Sequence, residues 1–311
     1  MSLPSSTDKI QNALLGIGLF YISQWSLSTL DASGKWLLSV GVPLLVVVWM
    51  RYLSHLVLMS LIIFPAKGVR ILRTRTIKYQ ILRALAMSIA SVFLFGSLHY
   101  LPQAQATSIA FLAPLVMLAV APWMLNEPKK TSRWIAAGAG FIGVLIVARP
   151  GSGLNPTGVV LALITALLLA MQHIYTRKLA VDHPMTTLIW GGLIGTITAS
   201  LALVFVIDEA LLTLSKLTTW QWVVMISLGL TGGLGHLLQI HAYQHAPASL
   251  LAPFIYLQIS AATALGWLIW GEFPDRVTWM GIGIICASGA GIALYEWHQR
   301  HRQTTLAKRP A

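Results

Sequence analysis

The chain has 311 residues, 56% of them hydrophobic and only 10% charged, with a mean hydropathy of +0.74. Soluble domains carry roughly 25% charged residues, so this composition excludes a water-soluble fold of this length, and lipid must cover much of the surface. The net charge of +12 does not point to nucleic acid, because the basic residues lie in short clusters between apolar runs, where they set membrane orientation.

The start, MSLPSSTDKIQN, is polar. The apolar run behind it is too long for the core of a cleavable signal, so none is expected. Apolar runs follow at 12–30, 36–64, 79–101, 104–125, 134–149, 157–180, 186–207, 220–241, 247–270 and 277–296. A span needs about 20 apolar residues, so these read as about ten transmembrane helices. The run 36–64 is too long for one straight span and predicts an interfacial turn near Val42-Pro43. No hydrophilic stretch leaves room for a separate soluble domain, and the basic tail at 297–311 is expected to be loose. The one cysteine, Cys286, lies in an apolar run and reads as inert packing.

Orientation follows from Lys and Arg. With the N-terminus inside, the inner segments hold Lys9, the cluster from Lys67 to Arg83, Lys129, Lys130 and Arg133, Arg177 and Lys178, and the basic tail. The outer loops hold only Lys35, Arg149, Lys216 and Arg276. This bias predicts both termini in the cytoplasm and an even number of spans.

A constant shift of the chain places Pro102 on Pro247, Glu127 on Glu272, Trp134 on Trp279 and Gly138 on Gly283. Each copy reads as Pro, an apolar helix, a loop with Glu just ahead of Pro (NEPKK, GEFPD), then Trp and a Gly-rich helix. With an odd number of spans per copy, the second enters the membrane from the opposite side. The expected fold is therefore an all-α integral membrane protein of two inverted five-helix repeats, residues 1–150 and 151–296, followed by the 297–311 tail. Inverted repeats are an architecture of secondary transporters, with the site near the midplane.

The repeat cores LPQAQATSIAFLAPLVMLAVAPWMLNEPKKTSRWIAAGAGFIGVLIVARPG and HAPASLLAPFIYLQISAATALGWLIWGEFPDRVTWMGIGIICASGAGIAL resemble the EamA family of the drug/metabolite transporter superfamily. The resemblance implies a ten-helix bundle with both termini inside and transport by alternating access. It also implies a central cavity lined mainly by the first, third, fourth, sixth, eighth and ninth helices. The stretches DASGKW, WMRYL, LRALAM and PFIYLQI are similar to a subgroup that includes carriers of vitamins, S-adenosylmethionine and other metabolites.

Polar groups inside a membrane helix are costly and are functional or paired. Gln24, Ser28 and Asp31 share one face of the first helix. Gln172, His173 and Thr176 cluster on the sixth. His236, Gln239 and Tyr243 share a face of the eighth, beside Gly229, Gly232, Gly233 and Gly235, which read as close packing. Pro253, Tyr256 and Ser260 line up on the ninth, with Gln258 nearby. Interhelical glue is the plain alternative for each. Arg51 stands out, because it lies amid VVVWM and YLSHLVLM with no acid near it in sequence; such a group faces a cavity, a partner or the interface. Arg83 sits near the cytoplasmic end of its helix, where snorkelling explains it. If both line the cavity, the substrate carries a carboxylate. The expected substrate-binding set is Gln24, Arg51, Gln172, His173, His236, Gln239, Tyr256 and Gln258. Asp31 is either a proton site or the partner of Lys35 one turn on, and the simple pair is favoured. Glu127 and Glu272 read as structural.

There is no Walker A loop, no HExxH and no Cys-x-x-Cys, so no cofactor, metal or catalytic set is expected. The expected function is a secondary transporter of a small organic metabolite in the bacterial cytoplasmic membrane. The amino-acid-like, carboxylate and vitamin-like classes stay open. The expected partners are that solute and membrane lipid, with a homodimer left open. A membrane-embedded lipid-modifying enzyme is the alternative; acids too scarce and scattered to converge weigh against it. A channel lacks a filter-like loop.

Overall fold

A computed structural model describes residues 6–126, 130–148, 154–179, 181–246 and 251–307. Among them the chain is helical throughout. The helices are α1 (Ser6–Ser39), α2 (Leu44–Lys67), α3 (Ile77–Tyr100), α4 (Gln103–Ala110), α5 (Ala113–Met124), α6 (Thr131–Ala148), α7 (Pro156–Lys178), α8 (Pro184–Leu203), α9 (Ile207–Lys216), α10 (Thr219–His245), α11 (Leu257–Trp270) and α12 (Arg276–Ala307). Short 3₁₀ turns at Val69–Leu72, Val204–Val206 and Ala252–Tyr256 precede α3, α9 and α11. Eight helical stretches among the described residues are long and apolar enough to cross a membrane, and Phe254–Trp270 is shorter. α1 carries Ser23, Gln24, Ser28, Asp31 and Lys35, all buried within the bundle.

Several boundaries depart from expectation for local reasons. α1 runs on to Ser39, so the turn is a boundary between α1 and α2 rather than a break within one run. Gly41 makes that turn at φ 86, a left-handed value that costs glycine little. α4 and α5 are separated at Phe111-Leu112, ahead of Pro114, which lacks the N–H that a continuous helix needs. By the same shift Phe111-Leu112 falls on Tyr256-Leu257, where the 3₁₀ turn ends and α11 begins. α9 was not foreseen; Asp208 and Glu209 fill its first turn and Ala210 is buried. The tail expected to be loose is helical to Ala307. Glu127, Arg149 and Pro247 lie outside the described residues.

Helix packing relates the two halves. α1 packs on α10 as α3 packs on α7, and α2 meets α10 as α3 meets α8. α1 meets α11 as α5 meets α7, while α2 with α8 and α6 with α12 pair across the same relation. Exchanging the first set of segments (α1, α2, α3, α4–α5, α6) with the second (α7, α8, α10, α11, α12) turns this list of contacts into itself. Trp134 and Trp279, matched in sequence, are both exposed at helix starts, and Gly138 and Gly283 both face open space.

Each end of the bundle carries a polar tie between the halves. At one end Lys35 of α1 pairs with Glu272 and lies 4.5 Å from the Trp270 ring centroid. The expected Asp31–Lys35 pair does not form, because Gly271, at φ 71 behind α11, delivers the Glu272 carboxylate to Lys35 instead. At the other end Asp182 accepts hydrogen bonds from Thr74 and Thr76, from the Arg75 N–H at 3.1 Å and from Gln80 at 3.0 Å. Partial burial works to raise the Asp182 carboxyl, but these donors together outweigh it and hold the group below its ordinary value. The stabilisation is therefore present above the ordinary carboxylate pKa of about 4 and disappears as pH falls through the lowered folded value. Asp182→Ala is expected to cost about 1 kcal/mol at pH 7, since the site is partly solvated. In thermal melts of the purified chain, the gap between wild type and variant should hold from pH 7 to 5 and close only below about pH 4.

Candidate functional site

The cavity forms where α2 is wedged between α8 and α10. Glycine permits the wedge: a Cβ on Gly229 would strike the backbone of Ser54 and His55, and one on Gly192 would meet His55 and Leu56. Arg51, Tyr52 and His55 of α2 line the cavity with Arg83 and Met87 of α3. Leu188, Gly191 and Gly192 of α8 and Leu228, Gly232 and His236 of α10 complete it. The cavity is partly open to solvent. The spacings 51/55, 83/87 and 228/232/236 are single helical turns, so each helix presents one stripe.

The Arg51 guanidinium lies 5.5 Å from the ring centroids of both Tyr52 and Phe95, contacts that favour a cation. Its buried Nη1 has no hydrogen-bond partner among the described residues. The Tyr52 hydroxyl is fixed by the Met87 carbonyl at 3.0 Å and Ser91 Oγ at 2.7 Å. Arg83 donates from Nε to Thr176 Oγ1 at 2.9 Å, and its Nη1 lies against Gly191. The His55 and His236 rings meet edge to face, 6.5 Å between centroids. His55 Nε2 is 3.4 Å from the Leu188 carbonyl oxygen. Among the described residues, no carboxylate lines the cavity.

A second polar seam runs along α1. Gln24 donates to the Ile255 carbonyl at 3.3 Å and accepts from Gln239 at 3.5 Å. Gln103 of α4 donates to the Ser28 carbonyl at 2.8 Å and to its hydroxyl at 3.1 Å. Gln258 donates to Asp31 at 3.3 Å. The seam reaches the cavity at two points: Gln239 lies within interaction range of His236, and Asp31 lies within electrostatic range of Arg51.

Of the expected binding residues, Arg51 and His236 line the cavity. Gln24, Gln239 and Gln258 belong to the seam with Asp31. Gln172 donates to Thr176, the group that also holds Arg83, and His173 is within electrostatic range of Arg83. Tyr256 points elsewhere, packed on Phe111 at 5.7 Å and against Gly289 of α12. Tyr243 is exposed and packs on Phe20. Two expectations need correction. The cavity around Arg51 is lined by the second, third, seventh and eighth spans, because the polar face of α1 is taken up by α4, α10 and α11. Arg83 borders that cavity instead of snorkelling. Tyr52, His55 and Met87 were missed, although His55 sits one turn from Arg51 and Met87 one turn from Arg83.

A helix bundle of this kind, with a cationic cavity bounded by both halves, defines a multi-pass membrane protein of the transporter class. The family model for the EamA-like transporter family matches residues 14–149 and again 156–294. The chain belongs to that family, and it is a transporter rather than an enzyme. An S-adenosylmethionine uptake transporter of Rickettsia conorii is 28% identical over 279 residues, covering 89% of this chain and 92% of the relative. A riboflavin transporter of Brucella anthropi is 26% identical over 262 residues, covering 83% and 89%. A solved crystal structure at 16% identity superposes with a TM-score of 0.59, covering 92% of this chain and 98% of that one, a likeness of fold.

Proposed function

We propose that this chain is a secondary carrier that moves a small organic metabolite across the bacterial cytoplasmic membrane by alternating access. In this reading residues 1–150 and 151–296 are inverted repeats of five spans each, with both termini in the cytoplasm. The two successive matches of the family model and the exchange symmetry of the helix contacts support the repeat. The names of the relatives, for S-adenosylmethionine and riboflavin, support a small metabolite.

The observation that carries the reading is a buried guanidinium nitrogen without a partner among the described residues, in a cavity lined by α2 and α3 from one half and α8 and α10 from the other. A buried unpaired charge is costly, and a bound solute would supply the missing partner. Arg51 and His236 contact the solute. Gln24, Gln239 and Gln258 join as the halves rock, and Gln172 and His173 steady Arg83. Tyr256 bears on α12 and shapes the hinge side. Asp31, set between Gln258 and Arg51, is the proton site. The ties at Lys35–Glu272 and at Asp182 are broken in turn, one at each end, as access switches. Tracer counterflow in proteoliposomes tests the carrier directly.

A further inference from the structure

We propose that the Arg51–Arg83 cavity selects solutes of net negative charge, and that this chain therefore rejects solutes of net positive charge such as S-adenosylmethionine. The inference rests on the carrier reading and names the substrate class of that same site.

Among the described residues, the lining carries two guanidiniums and no carboxylate. Neither arginine forms an ion pair among the described residues. Asp31 does not cancel them: it lies outside the lining, its hydrogen bond comes from Gln258, and one carboxylate leaves the pair positive. Arg83 spends its Nε on the neutral Thr176, leaving its fork directed at Gly191, where no side chain intervenes. Arg51 is held over two aromatic rings with Nη1 unused. Two planar forks on adjacent helices match an organic anion through paired charge-assisted hydrogen bonds. The imidazoles of His55 and His236 add polar nitrogens beside them. A sulfonium or ammonium group without a compensating anion would bring a third positive charge beside two guanidiniums, where like charges repel.

The test uses the purified full chain in detergent at constant ionic strength, titrated with glutarate, sulfate, riboflavin and S-adenosylmethionine, with melting temperature and tryptophan fluorescence as readouts. Glutarate is expected to give a saturable shift that chloride does not. Arg51→Gln and Arg83→Gln should each raise its half-saturation about ten- to a hundredfold, the loss of one charge-assisted bond. Arg51→Lys should recover part, keeping the charge and losing the fork. A shift with sulfate and none with glutarate keeps the anion site and assigns it to sulfate- or phosphate-like groups. Three results overturn the proposal: no saturable shift with either anion, an unchanged shift in the Arg51→Gln/Arg83→Gln double variant, or tighter binding of S-adenosylmethionine than of glutarate. Counterflow on the same preparation separates this from the carrier reading. Exchange of riboflavin or S-adenosylmethionine without anion binding keeps the carrier and removes the anion site. Anion binding without solute-dependent exchange does the reverse.

Discussion

Gly229→Leu is expected to abolish transport and to lower the melting temperature more than any change among the cavity-lining side chains. A Cβ at this position falls on the backbone of Ser54 and His55. Backbone cannot rotate out of the way as a side chain can, so α10 must separate from α2. Overpacking costs about 1–3 kcal/mol when neighbouring side chains yield, and a clash with backbone belongs above that range. The separation would also move Leu228, Gly232 and His236 away from Arg51 and His55, so the cavity is lost along with the stability. Gly229→Ala should show the same defects in milder form. Gly283→Ala is the control: nothing lies within 4 Å of that Cβ, and exchanging glycine for alanine in a helix stabilises it by about 1 kcal/mol. Melting curves and counterflow on the three variants check the ranking.

Asp31→Asn is expected to remove the pH dependence of transport without destabilising the resting protein. The asparagine keeps the hydrogen-bonding reach toward Gln258 but withdraws the only carboxylate acting on Arg51 among the described residues. Asp31 is buried and forms no direct ion pair with Arg51, so the cost of keeping its carboxylate out of water is not repaid by a contact, and removing the charge is not expected to lower the melting temperature. If Asp31→Asn transports solute with the wild-type pH profile, the proton belongs elsewhere. Lys35 is a poor alternative, being committed to Glu272.

Much of the fold is legible in the sequence because the membrane enforces it. Long apolar runs must become helices, and Pro, Gly and charge clusters mark where they end. The proposed repeat starts from matched Trp, Gly and Pro residues. The polar face of α1 was legible too, since the spacing of Gln24, Ser28 and Asp31 fixes a common side. What those groups meet was not. Lys35 finds Glu272 across the bundle instead of Asp31 one turn away, a choice made by the turn at Gly271. The helices around Arg51 could not be read from polar residues alone, because half the lining is Leu, Met and Gly. The amphipathic α9 is too short to stand out from the apolar run before it. Arg83 was legible as a charge near a helix end, but its direction is set by Thr176 on another helix.

Tracer counterflow in proteoliposomes holding the wild-type chain tests the carrier most directly. Vesicles are loaded with a concentrated unlabelled solute and diluted into trace labelled solute, across a panel of anionic, neutral and cationic metabolites. A carrier working by alternating access should accumulate label transiently, only when the matching solute is inside, and Arg51→Gln should suppress that accumulation. Label entering at the same rate whatever the vesicles contain, or no exchange for any solute in the panel, would contradict it.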